Sequence, residues 1–133
     1  MVVGGVSMTQ ENGDLLDLAL RMLDSTRDVS TNIGFEINIR IGINTGFAIG
    51  GIIGDIKPFY DFWGEAVNHA SRMESTGVPG KIQVSEASRI RYSDRYEFER
   101  RIPQAMIDGR EQETFWLIGK KISCPNSNKH IVR

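Results

Sequence analysis

A change of hydrophobic period near residue 34 constrains the fold of this chain most strongly. Across residues 14–24 (DLLDLALRMLD), apolar side chains recur three and four positions apart, which is typical of a helix with a wide buried face. Across residues 35–43 (FEINIRIGI), apolar side chains instead alternate with polar residues or glycine, which predicts a β-strand. A helix followed this closely by a strand, in a chain of 133 residues, predicts one domain of mixed α and β structure.

The rest of the chain divides into short elements. Residues 44–54 (NTGFAIGGIIG) predict a turn, a second strand and another turn, because glycines surround short apolar runs. Residues 64–75 predict a helix that stops before Gly77 and a following proline. The opening MVVGGV resembles a strand. Further strands are predicted at 81–84, 96–100 and 114–118, with a helix-like segment at 85–93. We therefore predict an α+β domain over residues 1–119 and a mobile, polar and basic tail over residues 120–133.

Composition argues against several classes of protein. The net charge of −1 gives no reason to expect binding to nucleic acid or to an anionic membrane surface. No apolar run approaches the roughly 18 residues of a membrane span, and the opening residues do not have the pattern of a signal peptide. The single cysteine, Cys124, rules out a disulfide within the chain and fits a reducing compartment. We expect a cytoplasmic location, although a longer parent protein could still be membrane-anchored.

Several familiar sites are not supported by the spacing of the residues. A phosphate-binding loop would end in Lys-Ser or Lys-Thr at a helix start, whereas the glycines of residues 42–54 lead into Asp55 and no helix pattern opens there. His69 and His130 have no second ligand at zinc spacing, and no serine-triad motif is present. Asp14 and Asp17 could share a helix face, but a solvated helix surface is the more common explanation of such a pair.

The segment YDFWGEAVNHASRMESTG, residues 60–77, carries unusual polar positions. On the predicted helix, the small and apolar residues form one face, whereas Asn68 and Arg72 lie four residues apart on another. Composition alone favours an ordinary helix with a buried face and a solvated face. Two details point elsewhere, because asparagine is a mediocre helix former and Asp61 interrupts an aromatic run where an apolar residue would pack better.

These three side chains have the chemistry of a nucleotide site. A carboxylate can accept a hydrogen bond from the exocyclic amine of a base, and an asparagine can hold a sugar hydroxyl. A helix arginine can stabilise negative charge on a phosphate. A binding surface and a solvated helix face both remain open on this evidence alone.

A longer pattern around this segment resembles a known family. FYDFWGEAVNHASRMESTGVPGKIQVS closely resembles the class III nucleotidyl cyclase catalytic domain, which makes cyclic AMP or cyclic GMP. IRIGINTGFAIGGIIG resembles the paired glycine-rich strands of that family, and YEFERR and ETFWLIGK resemble its late strands. The resemblance covers residues 1 to about 119, and MVVGGV resembles the part that follows the second metal aspartate of the family. It implies a ferredoxin-like sheet with flanking helices, in a domain that lacks the N-terminal part of the family fold.

The resemblance implies roles for individual residues. Asp61 matches the position that recognises the purine, where aspartate implies adenine and guanylyl cyclases typically carry cysteine. Phe62 matches a hydrophobic base contact, Asn68 the residue that orients the ribose, and Arg72 the arginine that stabilises the transition state. The implied reaction converts ATP to cyclic AMP and pyrophosphate.

The chain departs from the family pattern in two places. The family binds Mg or Mn through two aspartates, in an early Phe-x-Asp-Ile-x-Gly-Phe segment and a later Gly-Asp pair. Both segments, and a lysine that helps to select adenine, are absent from the sequence, so no metal ligands are expected in this chain. A phosphate-contacting lysine of the family is replaced by Asp108, and Arg110 is the one nearby residue that could take its place.

The resemblance also implies a partner. The family domain works as a head-to-tail dimer, homo- or heteromeric, with one chain supplying the metal aspartates and the other the asparagine and arginine. We expect a truncated cyclase domain that supplies the Asp/Asn/Arg half of an interfacial site and is inactive alone. Two alternatives remain: a non-catalytic regulatory or dimerisation module derived from a cyclase, and a decayed cyclase fragment.

Overall fold

A computed structural model describes residues 1–5, 14–102 and 112–122, without the side chain of residue 14. Its helices are α1 (Asp14–Ile33), α2 (Glu65–Ser75) and α3 (Glu86–Tyr92). Its strands are β1 (Ile41–Ile43), β2 (Ile49–Ile53), β3 (Phe59–Trp63), β4 (Ile82–Ser85), β5 (Tyr96–Arg101) and β6 (Thr114–Lys120). The predictions for Asp108, Arg110, Cys124, His130 and residues 123–133 of the tail fall outside the described residues.

Four strands form one sheet in the order β1-β4-β6-β5, in which β1 runs parallel to β4 and the other neighbours are antiparallel. Strands β2 and β3 form a separate antiparallel hairpin. The predicted mixture of α and β structure is confirmed.

Successive side chains of β1 and β4 point to opposite faces of the sheet, and different helices pack on the two faces. Ile82 and Val84 are fully buried in the main core, which also contains apolar side chains from α1, α3, β5 and β6. Gln83, between them, contacts α2 instead. The sheet therefore lies between the main core on one face and α2 on the other.

Helix α1 and strand β1 differ in length from the sequence predictions. The helix continues beyond residue 24 to Ile33, and Gly34 then turns the chain with a φ of 67°. The predicted strand over 35–43 is wrong for residues 35–40, since β1 starts at Ile41. The backbone N–H and carbonyl of Ile37 bond to the hydroxyl of Ser30, at 2.9 and 3.2 Å, so this stretch follows α1 and is not paired to β4.

Two further differences concern short segments. The strand prediction for the opening residues is wrong for residues 1–5, which form no regular element. Strand β3 was not predicted, because residues 59–63 are nearly continuous in apolar and aromatic character and give no alternation to detect. In the part of the chain that the structure describes, no helix is long and apolar enough to cross a membrane.

Candidate active site

The predicted site residues lie on one continuous unit, in which β3 passes directly into α2. The connection is Gly64, whose φ of 126° is strained for any residue with a side chain. This tight turn puts Asp61 and Phe62 at the end of a strand and Asn68 in the first turns of the following helix.

Strand β3 carries both Asp61 and Phe62. Both residues are half-buried, and the carboxylate of Asp61 accepts a hydrogen bond of 2.9 Å from the backbone N–H of Phe62. The ring of Phe62 meets Tyr60 edge to face, with 5.2 Å between the ring centroids. Across the hairpin, Gly50 leaves room for this pair, because a Cβ at that position would lie only 2.5 Å from the Tyr60 hydroxyl oxygen.

Helix α2 rests on the sheet through a very close backbone contact. A Cβ on Gly42 of β1 would lie 2.1 Å from the backbone nitrogen of Glu74 and 2.6 Å from the carbonyl oxygen of Ala70, so only glycine fits. Met73 is buried beneath the helix. On the polar side of α2, Asn68 is exposed and Arg72 is half-buried. Within the predicted stripe, Asn68 therefore faces solvent, whereas Arg72 is partly covered.

A polar cluster that the sequence analysis missed holds the last turn of α2. Thr76 caps the helix and bonds to the carbonyl oxygen of Arg72 through both its backbone nitrogen, at 3.0 Å, and its hydroxyl, at 2.7 Å. The side chain of Gln83 donates to the Thr76 hydroxyl at 3.1 Å, and Arg101 donates to the Gln83 carbonyl oxygen. A signal existed in the sequence, because Gln83 is the polar residue inside the apolar strand KIQV.

A cavity of about 580 Å³ lies on the other side of α2. Its walls include residues 1–5, the loop after β1 and the small residues Ala66 and Ala70 of α2. Phe62 lines this cavity, whereas Asp61, Asn68 and Arg72 do not. Asp61, Asn68 and Arg72 therefore lie outside the cavity that Phe62 lines.

The described residues do not offer a metal site. Within residues 1–5, 14–102 and 112–122, no three side chains of His, Cys, Asp or Glu come together in a group that could hold an ion. The chain as described does not fit the metal that the family resemblance implies.

Asp17, one of the two aspartates considered above, has a structural role. Its carboxylate accepts hydrogen bonds from Lys120 at 3.0 Å and from the hydroxyl of Tyr96 at 2.8 Å. The hydrogen bond from Lys120, followed by that from Tyr96, holds the pKa of Asp17 below its usual value. These contacts join α1 to the far edge of the sheet and lie away from α2.

Comparisons with known proteins agree on one family. The sequence model described as "Adenylate and Guanylate cyclase catalytic domain" matches residues 1–119. An adenylate cyclase of Mycobacterium bovis is 35% identical over 126 residues, and retinal guanylyl cyclase 2 of Rattus norvegicus is 43% identical over 129 residues. These matches cover 93% and 91% of this chain but only 28% and 12% of the two relatives.

The fold is similar as well. The guanylate cyclase domain of RhGC from Catenaria anguillulae, solved in complex with GTP, superposes with a TM-score of 0.78 and 28% identity, covering 89% of this chain and 65% of that domain. The resemblance stated from the sequence is confirmed, since sequence and structure point to the same family. The chain belongs to the adenylate and guanylate cyclase catalytic domain family.

Proposed function

We propose that this chain acts as part of an adenylyl cyclase, supplying one half of a site that forms between two cyclase domains. The half-site consists of Asp61, Phe62, Asn68 and Arg72, with Arg110 as a further phosphate contact. The observation that carries the proposal is the tight strand–turn–helix unit, in which Asn68 and Arg72 lie one helical turn apart on α2, directly after the strand that carries Asp61.

Each residue suits one part of ATP. Asp61 would accept the exocyclic amine of adenine, with the Phe62 ring against the base, and Asn68 would orient the ribose. In the reaction, the 3′-hydroxyl oxygen forms a bond to the α-phosphorus, its proton is lost, and the bond to pyrophosphate breaks. Arg72 would face the α-phosphate, where its donors meet charge that grows during the step.

The choice of ATP rests on Asp61. Relatives named as adenylate cyclases and as guanylyl cyclases both match the chain, so membership of the family does not separate the two substrates. A carboxylate accepts a hydrogen bond from the amine of adenine, whereas the carbonyl oxygen at the same place in guanine would be repelled. Asp61→Cys should therefore lower the preference for ATP over GTP by roughly tenfold, as expected for one lost polar contact to the base.

The exposure of Asn68 and of the neighbouring hairpin supports a second domain as the surface that would enclose the ligand. Asn68 is exposed on this face, and the neighbouring β2–β3 hairpin carries exposed apolar side chains, among them Ile49 and Ile52 at 72% each. A second cyclase domain seated there would cover the hairpin and enclose ATP. It would also contribute the carboxylates that hold Mg or Mn, for which the described residues have no group.

The test is complementation. The chain is mixed with a cyclase domain that carries the family's two metal aspartates and lacks the arginine equivalent to Arg72, in magnesium or manganese buffer. We expect cyclic AMP from the mixture and none from either protein alone. Association without product would instead support the alternative, a non-catalytic dimerisation module, which the exposed hairpin also favours. Cyclic AMP made by this chain alone would contradict the half-site.

A further inference from the structure

The last turn of α2 is attached to the sheet by a directed chain of hydrogen bonds that ends on Arg72. The chain runs from Arg101 of β5 through Gln83 of β4 to Thr76, and from Thr76 to the backbone of Arg72. Gln83 is 1% exposed, on a strand whose other face is apolar core. A buried amide at such a position is costly unless all of its polar groups are bonded.

All the polar groups of the Gln83 side chain have partners. Its nitrogen donates to the Thr76 hydroxyl at 3.1 Å and contacts the sulfur of Met73 at 3.6 Å. Its oxygen accepts from Arg101, which also donates to the backbone carbonyl of Thr76 at 2.8 Å. The guanidinium of Arg101 stacks over the Trp116 ring, 4.8 Å from its centroid, which limits its movement.

The donors and acceptors of these linked hydrogen bonds allow only one direction of donation. A guanidinium has no acceptor, so the Gln83 amide must turn its oxygen towards Arg101 and its nitrogen towards Thr76. The Thr76 hydroxyl then accepts from Gln83 and has one proton left, which it donates to the carbonyl oxygen of Arg72 at 2.7 Å. Through Gln83 and Thr76, Arg101 thereby fixes the direction of the hydrogen bond from the Thr76 hydroxyl to the Arg72 carbonyl oxygen.

We propose that Gln83, Thr76 and Arg101 are positioning residues for Arg72, because their hydrogen bonds fix the helix turn from which the arginine reaches its ligand. An apolar residue at position 83 would also fill the space, but it would let the end of the helix rotate or slide on the sheet. The proposal rests on the proposed catalytic role of Arg72. A shift of about 1 Å in a catalytic group can cost roughly 100-fold in rate.

Two variants of Thr76 distinguish the effect of its hydroxyl hydrogen bond from the effect of its side-chain size. Thr76→Val keeps the size of the side chain and removes the hydroxyl, whereas Thr76→Ser keeps the hydroxyl. Gln83→Met is a second way to break the chain if Thr76→Val does not fold. The matched control is Tyr96→Phe, which removes the partly buried hydrogen bond to Asp17 at the far edge of the sheet and leaves α2 untouched.

The first readout is the ¹H–¹⁵N signal of the Arg72 side-chain Nε in the full 133-residue chain, assigned by its loss in Arg72→Lys. It requires neither ATP nor a partner domain. We expect the signal to shift or broaden in Thr76→Val and in Gln83→Met, and to stay near its original position in Thr76→Ser and Tyr96→Phe. An unchanged signal in Thr76→Val, or an equal change in Tyr96→Phe, would overturn the proposal.

The second readout is turnover in the complementation mixture. We expect kcat to fall roughly 10- to 100-fold in Thr76→Val, with KM nearly unchanged, and to recover in Thr76→Ser. An equal loss in Tyr96→Phe would mean that lost stability alone explains the effect, and would overturn the proposal. If the unaltered mixture makes no cyclic nucleotide, the proposed function fails, whereas the Arg72 signal still decides the positioning role.

Discussion

The four-stranded sheet and the β2–β3 hairpin use apolar residues in opposite ways. In the sheet, Ile82 and Val84 are almost completely buried, and the helices cover both faces. In the hairpin and the loop before it, Ile49 and Ile52 are 72% exposed and Phe47 is fully exposed. Both regions contain short, strongly apolar strands, so composition does not explain the difference.

The difference lies in what covers each region. A two-stranded hairpin cannot bury both of its own faces, and an isolated hairpin is only marginally stable in water. A contiguous apolar surface on a folded domain marks a contact surface. The exposed hairpin is therefore the surface that the proposed second cyclase domain would cover, whereas the sheet is covered by the chain's own helices. The site residues lie between the two regions, with Asp61 on the hairpin and Arg72 on the helix that the sheet holds.

The largest effect on stability should come from a substitution in the four-stranded sheet, where β1 touches α2. In Gly42→Ala, the new methyl group would overlap backbone atoms of α2 that cannot rotate away, so the helix must move off β1. We expect the free energy of unfolding to fall by about 3 kcal/mol or more, as in severe overpacking. Chemical denaturation monitored by circular dichroism measures this change.

The matched control is Gly119→Ala in β6, where a Cβ would meet no atom within 4 Å. Replacing glycine by alanine in a strand, at a position that has room for it, should leave stability unchanged or raise it by about 0.5 kcal/mol. Equal losses in the two variants would contradict the close-contact explanation for Gly42.

An intermediate effect should come from the hairpin. Ile49→Arg and Ile52→Arg place a charge on each face of β2, where both isoleucines are exposed, so the stability of the monomer should change by less than about 0.5 kcal/mol. Association with a second cyclase domain should weaken at least tenfold, equivalent to about 1.4 kcal/mol. Sedimentation equilibrium of the mixture measures the binding constant.

Ile90→Arg on α3 serves as the control, because Ile90 is 61% exposed but belongs to the sheet side of the molecule. It should leave association unchanged. If Ile90→Arg weakened association as much as the hairpin variants did, the contact surface would not be confined to the hairpin.

The smallest effect concerns the ion pair that joins α1 to β6. Because folding lowers the pKa of Asp17, its contribution to stability is present above the carboxyl pKa of the unfolded chain, about 3.9, and is lost as pH falls through the lower pKa of the folded state. Since Lys120 is mostly exposed, the contribution should be about 0.5 kcal/mol.

Urea denaturation is measured between pH 6 and pH 2, about two units on either side of the carboxyl range. As the pH falls, the parent chain should lose stability more steeply than Asp17→Asn. Asp24→Asn removes an aspartate from an exposed pair with Arg27 and is the matched control. Identical acid slopes for the parent chain and Asp17→Asn would contradict the role assigned to this carboxylate.

Elements with a clear period could be predicted from the sequence. Helix α2 was expected at 64–75 and lies at Glu65–Ser75, because glycines mark both of its ends. Helix α1 was predicted too short, since serine and threonine in its second half broke the apolar pattern. In the structure the hydroxyls of Thr26, Ser30 and Thr31 bond to carbonyls four residues earlier, with Thr26 at 2.7 Å from the Met22 oxygen, and the helix continues.

Features that depend on distant contacts could not be predicted in the same way. Alternation over residues 35–40 does not form a strand, since the register with β4 starts at Ile41 and the backbone of Ile37 bonds to Ser30 of α1. The Gln83–Arg101 bond joins two residues that are 18 positions apart in the sequence, a contact that no local period encodes. The candidate site itself was local, since Asp61 to Arg72 form one strand–turn–helix unit, and this is why a single stretch of sequence was enough to suggest it.

The most direct test of the account is the turnover of Arg72→Ala in the complementation mixture. We expect kcat for cyclic AMP to fall roughly 100- to 1,000-fold, with KM for ATP within a few-fold, because the guanidinium is proposed to act mainly in the transition state. Arg27→Ala, an exposed helix arginine on α1, should leave both constants unchanged. Unaltered turnover in Arg72→Ala, in a mixture that makes cyclic AMP, would contradict the proposed half-site.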